Sequence, residues 1–325
     1  MILITGASGF VGQHLINALV ERFSPSSVRI LDARPPSFAL PSGVQATCGL
    51  IENPQSVATA LHGVEVVVHL AAKVQPDSRD IQEMRRVNVD GTRSVYSAAA
   101  HAGCKLFVHM SSAGIYGPPR SPSRFKEGDV PAPVTPYQRT KWEAEEVLRN
   151  ADSKGTTLNI LRPAGLYGPG SRLEIPSYKQ VLSKRWTIEF TGGVVVHPTH
   201  VTDIVKAIVA LVQQPAPHAT VFNVGGERPV RVDDLHALTA EILGVRRRRV
   251  VLPPWIATPL IGIATPGLAL MGRRNPLLAR ISRGGLLSSA VDDSLFRDRY
   301  PTVPVVALAL GVREHIDWAR AHSLL

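Results

Sequence analysis

The stretch PYQRTK places Tyr137 and Lys141 four residues apart on a segment with helical patterning, so the two side chains share one helix face. A phenol of ordinary acidity is a poor base at neutral pH. An ammonium beside it favours the phenolate and draws its pKa down, which makes the pair a candidate acid/base. Ser111 and Ser112 close the apolar run KLFVHMSS. Parallel sheets present the C-terminal ends of their strands to a ligand crevice, where a serine hydroxyl can hold a substrate oxygen. Near the start, LITGASGFVGQHL sets Gly6, Gly9 and Gly12 in the spacing T-G-x-x-G-x-x-G between a strand-like run and a helix-like one. Such a turn lets backbone N–H groups approach a pyrophosphate while the helix N-terminus faces the anion. Asp32 ends the next apolar run, twenty residues after Gly12. A carboxylate there accepts hydrogen bonds from adenosine ribose hydroxyls and repels a 2′-phosphate, which favours NAD. Arg34, two residues on, could recognise that phosphate and keeps NADP open. The chemistry these residues could perform together is hydride transfer between a nicotinamide dinucleotide and a secondary alcohol or ketone.

Such residues need a scaffold that brings strand ends together. The runs ILIT, SVRILD, VEVVVHLAA, KLFVHMSS and TLNILRP are short and apolar on both faces, as buried parallel strands are. Between them lie helical stretches, among them QHLINALVERF, VNVDGTRSVYSAAAHAG and YQRTKWEAEEVLRN. Strands alternating with helices predict an α/β fold, a Rossmann-type doubly wound parallel sheet. After about Pro163 the pattern loosens, then returns to a helix in HPTHVTDIVKAIVALVQQ and a strand in TVFNVGG. The expected division is a dinucleotide-binding domain over 1–165, also receiving 195–225, and a smaller, mostly helical substrate domain over 166–325.

Composition narrows the partners. Net charge is +10, with the run Arg246, Arg247, Arg248 and Arg249, but no aromatic interleaving or docking element accompanies it, so nucleic acid is not expected. Cys48 and Cys104 have no metal-ligand spacing, which fits a reduced cytoplasmic protein without a metal. The first strand starts at Ile2 and leaves no room for a basic leader. Residues 250–272 carry no charge, yet Pro253, Pro254, Pro259 and Pro266 break helices, so a transmembrane span is not expected. Peripheral membrane contact, an apolar wall over a substrate pocket, or plain core are the readings left for that stretch.

The pieces TGASGFVG, VVHLAA, VNVDGT, SSAGIYG, PYQRTK, LRPAGLYGPG, HPTHVTD and FNVGG occur in an order that resembles the extended short-chain dehydrogenase/reductases, the NAD-dependent epimerase/dehydratase family, along nearly the whole chain. The resemblance implies that Gly6, Gly9 and Gly12 line the pyrophosphate, that Ser8, Phe10 and Val11 of the same turn also bind the cofactor, that Asp32 meets the adenosine ribose, and that Leu70, Ala71 and Ala72 lie beside the dinucleotide. It makes Asn88 a support of the active-site framework, Ser112 the catalytic hydroxyl residue, Tyr137 the acid/base, Lys141 its tuner and ribose holder, and Pro163 the proline beside the nicotinamide. It also implies a homodimer formed through the two helices that contain Asn88 and Tyr137.

Departures from the family pattern shape the expected reaction. Gly49 in CGLIEN stands where the family has an aspartate contacting adenine. Ala113 and Gly114 replace the Asp-Glu pair of the sugar dehydratases, so water elimination is not expected. HPTHVTD replaces the R-D-[FY] stretch of nucleotide-sugar epimerases and no R-P-G-D stretch follows, although Arg172, Arg273 or Arg274 could substitute. The expected substrate is a small hydroxy or keto compound handled by a 3β-hydroxysteroid dehydrogenase-like enzyme. The alternative is a nucleotide sugar, epimerised with recycled NAD. A non-catalytic nucleotide sensor would not need Ser112, Tyr137 and Lys141 together.

Overall fold

Ile2–Thr5 (β1) is buried at every position, and its apolar side chains serve both faces of a sheet. The computed structural model describes residues 1–74, 81–118, 124–183, 186–189, 195–246, 248–251 and 290–325. β2 (Val28–Asp32), β3 (Gln45–Cys48), β4 (Val66–His69), β5 (Leu106–Met110) and β6 (Thr157–Pro163) follow. Short strands β7 (Gly165–Tyr167), β8 (Trp186–Glu189), β9 (Val195–Val196) and β10 (Pro198–His200) precede β11 (Thr220–Val224), after which come β12 (Val230–Arg231) and β13 (Arg248–Val251). Seven strands form one parallel sheet in the order β3-β2-β1-β4-β5-β6-β11. The chain moves outward from β1 to β3, then returns to β4 on the other side of β1. Loops leaving β1 and β4 therefore diverge and open a crevice at the C-terminal edge, the ligand position of such sheets. Register places Thr5, His69 and His109 side by side at that edge.

Helices cover both faces. α1 (Phe10–Arg22) packs Leu15, Ile16 and Leu19 in one core with Val205, Ile208 and Leu211 of α7 (Val201–Gln213). On the other face α2 (Pro54–Leu61), α4 (Thr92–His101) and α5 (Pro136–Asn150) contribute Val57, Val95, Ala99 and Leu148 to a second core. α3 (Ile81–Arg85) joins α4 through a π-helical turn, Arg86–Gly91. A third core gathers Tyr178 and Val181 of α6 (Ile175–Ser183), Leu243 of α8 (Val232–Leu243), and Val312 and Ile316 of the last helix, α10 (Leu308–Ala321). α9 (Ser294–Arg299) packs Phe296 against Phe222 of β11.

The Rossmann-type sheet agrees with the expectation, six of its seven strands being the apolar runs from ILIT to TVFNVGG. β3 and α2 were not among the elements anticipated. β3 is an edge strand whose QATC is exposed at every position but the half-buried Thr47, so it lacks the apolar signature of its neighbours. After Gly168, where the sequence pattern loosens, the chain forms the nine-residue helix α6. Of the uncharged stretch 250–272, only Val250 and Val251 fall within the described residues, in the backbone of β13. The remainder of that stretch lies outside them, as do Arg247, Arg273 and Arg274. No helix among the described residues is long and apolar enough to cross a membrane.

Candidate active site

The glycine turn is shaped by contacts that no side chain could share. Gly6 has φ +72, and a Cβ there would lie 2.6 Å from the backbone of Ala71. At Gly12 a Cβ would lie 2.4 Å from the Ala7 carbonyl oxygen, so α1 is seated directly on the end of β1. Gly9, exposed, is the N-cap of α1 and supplies no side-chain cap to its first N–H groups. An uncapped, positively polarised helix end beside a bare backbone turn is a fitting cradle for a pyrophosphate. Val11 is buried in the core, whereas Phe10 touches Gly170. His14, one turn on, is in hydrogen-bond contact with the Pro169 carbonyl through Nε2 at 2.8 Å. The 168–171 segment thus lies against the start of α1.

Asp32 is tied to the same turn. Its Oδ2 accepts the Ser8 N–H at 2.9 Å and the Ser8 hydroxyl at 3.1 Å. Burial pushes its carboxyl above the ordinary aspartate value, while the Ser8 bonds pull the other way. Arg34 is exposed two residues on. The Gly49 N–H donates to the Asp32 carbonyl at 2.8 Å. A side chain at Gly49 would meet the Ser56 Cβ of α2 at 2.5 Å, so the helix occupies the space an aspartate needs.

Between β1 and β4 the Leu70 N–H donates to the Thr5 carbonyl at 3.0 Å and the Ala71 N–H to Thr5 Oγ1 at 3.4 Å. Leu70, Ala71 and Ala72 are half-buried along that edge. Asn88, on the π-helical turn, receives the Lys73 N–H at 2.7 Å and donates to the Lys73 carbonyl at 3.1 Å and to Thr140 Oγ1 at 3.0 Å. Thr140 in turn donates to the Tyr137 carbonyl at 2.9 Å. Asn88 therefore fastens the β4 loop to the first turns of α5.

A capping box starts that helix. Thr135 Oγ1 accepts the Gln138 N–H at 3.2 Å, and Gln138 Oε1 accepts the Thr135 N–H at 3.0 Å. Tyr137 consequently falls in the first turn, and burial pushes its phenol up to about 12. Lys141 is buried, and its Nζ donates to the Met110 carbonyl at 2.5 Å. Burial draws this ammonium down to about 8, with Glu145 opposing. Burial, not Lys141, sets the direction of the phenol's shift in this structure. The ammonium is engaged by the strand end, and desolvation of the phenol dominates.

The serines divide by side of the chain. Ser111 is buried and donates to Glu145 Oε1 at 2.5 Å. Ser112 is half-buried, and its Oγ accepts the Gly114 N–H at 3.1 Å, which leaves its own proton free to donate. Pro163 closes β6 in register with Val224, and the next N–H, of Ala164, donates to the Val224 carbonyl at 3.0 Å. The C-terminal edge thus carries the glycine turn, the β4 end, Ser112, Pro163 and the first turns of α5.

Two features were not anticipated. His69 and His109 stack 5.6 Å apart on neighbouring strands, and His109 Nε2 lies 3.5 Å from Lys141 Nζ. Burial and the nearby ammonium hold both imidazoles neutral, with His69 at about 3. The second is a buried ion pair in which Arg162 donates to Glu145 through Nε at 3.0 Å and Nη2 at 2.7 Å. An arginine inside the apolar run TLNILRP was the available signal, since a charge in a doubly covered strand requires a partner. Among the described residues no His, Cys, Asp or Glu cluster could hold a metal.

The sequence profile of the NAD dependent epimerase/dehydratase family matches residues 2–225. The chain is 29% identical to 3beta-hydroxysteroid-dehydrogenase/decarboxylase isoform 1 of Arabidopsis thaliana, across 97% of this chain and 78% of that one. It is also 29% identical to N-acetyl-alpha-D-glucosaminyl-diphospho-ditrans,octacis-undecaprenol 4-epimerase of Escherichia coli O157:H7, across 78% of this chain and 75% of that one. Among solved structures, MoeE5 in complex with UDP-glucose and NAD superposes with a TM-score of 0.77 at 26% identity, covering 99% of each chain.

The Gly49 contact is testable. Gly49→Asp is expected to destabilise the fold by about 1–3 kcal/mol, because α2 must move. Adding Ser56→Gly is expected to recover most of that loss in urea denaturation. Full stability of Gly49→Asp alone would show that the helix does not restrict this position.

Proposed function

The chain belongs to the NAD dependent epimerase/dehydratase family, and from that membership we propose that it uses NAD to oxidise or reduce a secondary alcohol or ketone, with Tyr137 as acid/base, Ser112 as substrate-oxygen donor and Lys141 as their electrostatic support. The reading is supported by one observation: Ser112, Lys141 and the first turn of α5, which carries Tyr137, lie at the C-terminal edge with the glycine turn and the uncapped end of α1. Gly6, Gly9 and Gly12 would hold the pyrophosphate, with Ser8, Phe10 and Val11 of the same turn completing the cofactor site, Asp32 would meet the adenosine ribose, and Leu70, Ala71, Ala72 and Pro163 would flank the dinucleotide. Bound there, NAD supplies the hydride acceptor, or as NADH the donor.

The chain's own part is proton management. A phenol at about 12 and an ammonium at about 8 both hold their protons at neutral pH, the state that protonates a forming alkoxide. Reduction starts from that state, whereas oxidation first requires the Tyr137 proton to leave. Ser112 keeps its proton for the substrate oxygen because its lone pair already serves Gly114.

Net dehydrogenation or reduction, as in the 3β-hydroxysteroid dehydrogenases, is the favoured reading. The plant relative spanning 97% of the chain supports it, as does HPTHVTD where nucleotide-sugar epimerases carry R-D-[FY]. Epimerisation of a nucleotide sugar with recycled NAD is the second reading, supported by the UDP-glucose and NAD complex of MoeE5, while the undecaprenol-linked relative supports 4-epimerisation of a diphospho-linked sugar more broadly. We further propose a cytoplasmic homodimer formed through the helices around Asn88 and Tyr137, where a groove of about 520 Å³ is lined by Arg85, Arg93, Glu143 and Glu146. The division into 1–165 with 195–225, and the remainder of 166–325 as substrate domain, belongs to the same proposal. So does peripheral membrane contact through residues 250–272.

Incubation with NAD and a 3β-hydroxysteroid, against NAD and UDP-glucose, separates the two reactions. NADH accumulating in step with product is expected with the first. UDP-galactose formed without free NADH would establish the second. Tyr137→Phe is expected to lower turnover by about 10²- to 10⁴-fold with unchanged NAD affinity, and unaltered turnover would remove Tyr137 from the reaction. Asp32→Ala is expected to shrink the affinity preference for NAD over NADP by about tenfold, the worth of one charged hydrogen bond, read by titrating both.

A further inference from the structure

We propose that Glu145 is a positioning residue for this reaction, its buried carboxylate locking the strand end that carries Ser112 to the helix that carries Tyr137 and Lys141. The inference rests on the roles just given to those three residues. Glu145 is fully buried and receives four donors. Ser111 Oγ at 2.5 Å and Arg162 Nε at 3.0 Å reach Oε1. Arg162 Nη2 at 2.7 Å and Arg149 Nη2 at 3.1 Å reach Oε2. One carboxylate thus joins the ends of β5 and β6 to the middle of α5.

Stability does not require a charge there. A buried ion pair is often no better than apolar side chains of the same volume. What a carboxylate adds is direction. Ser111 and Ser112 follow each other on extended backbone, so their side chains point to opposite sides. Holding the Ser111 hydroxyl inward fixes the rotation that turns Ser112 outward. The same carboxylate stands four residues after Lys141 and so shares its helix face. From β5, Lys141 is faced by the Met110 carbonyl at 2.5 Å and by His109, with His69 of β4 stacked behind. Both imidazoles are neutral, so Glu145 is the charge that holds the Lys141 proton against burial. Beyond Arg162 the network continues, with Nη1 donating to the Tyr116 hydroxyl at 2.7 Å and that hydroxyl donating to Asn223 of β11 at 2.8 Å.

The probes are NAD with a 3β-hydroxysteroid and, separately, NAD with UDP-glucose, the wild-type pH–rate profile on whichever is turned over being the reference. Ser111→Ala leaves the ion pair in place. It is expected to lower kcat about tenfold, with NAD affinity and KM unchanged and the profile unmoved. Glu145→Gln removes the charge as well. It is expected to lower kcat and to move the alkaline limb about half a unit or more toward lower pH, because Lys141 then loses its proton sooner. Wild-type kcat in Ser111→Ala together with an unmoved limb in Glu145→Gln overturns the proposal. Loss of NAD affinity and folding in step with kcat in both variants also overturns it, since that is a purely structural role. Full activity of Tyr137→Phe would instead overturn the underlying site reading, so the two failures are distinguishable.

Discussion

The approach of the first turn to the end of β4 governs the geometry of this molecule. A Cβ on Gly6 would stand 2.6 Å from Ala71, and one on Gly12 would stand 2.4 Å from Ala7. Those distances exist only because both positions are bare backbone. They bring α1 down onto β1 and leave the crevice between β1 and β4 narrow and lined by main chain. Asp32, held by Ser8, and Asn88, holding the β4 loop to α5, then have fixed positions relative to the helix end. A bulkier turn would separate the nucleotide cradle from the serine and tyrosine by moving α1, and no later element could compensate.

Within that frame burial, not charge, decides the resting state of the acid/base pair. Lys141 and Tyr137 share a helix face, yet the phenol sits at about 12. The ammonium is turned to the Met110 carbonyl and shielded by two neutral imidazoles. Desolvation of the half-buried phenol and the buried ammonium disfavours phenolate and ammonium alike. The pair is therefore poised with both protons on, and any state with a phenolate needs added positive charge or a rearranged lysine.

The sequence made the frame legible because the frame is local. Apolar runs of strand length, glycines at fixed spacing and a tyrosine four before a lysine need no knowledge of distant contacts. β3 escaped because an edge strand is covered on few sides and its residues QATC carry no pattern. The resemblance pointed to Ser112 rather than Ser111, but the contacts that hold Ser111 inward were hidden, since they depend on Glu145 and Arg162, thirty-four residues from Ser111 and seventeen from Glu145 respectively. The burial around Tyr137 was hidden for the same reason. Helix spacing reports proximity, but burial is a property of the assembled fold.

The Gly49 contact bears on which reaction such a frame serves. Ser56 of α2 occupies the space where a carboxylate would reach adenine, and Gly49 spends its N–H on the Asp32 carbonyl. A dinucleotide in this crevice would therefore have one polar anchor fewer at its adenine end. Each charged hydrogen bond is worth about 1.5–3 kcal/mol, a tenfold or larger change in residence. An epimerase that regenerates its cofactor in every cycle gains from never releasing it, whereas a dehydrogenase must release it once per turnover. A looser adenine end therefore favours exchange, and it points the same way as the absent R-D-[FY] stretch, toward net oxidation or reduction.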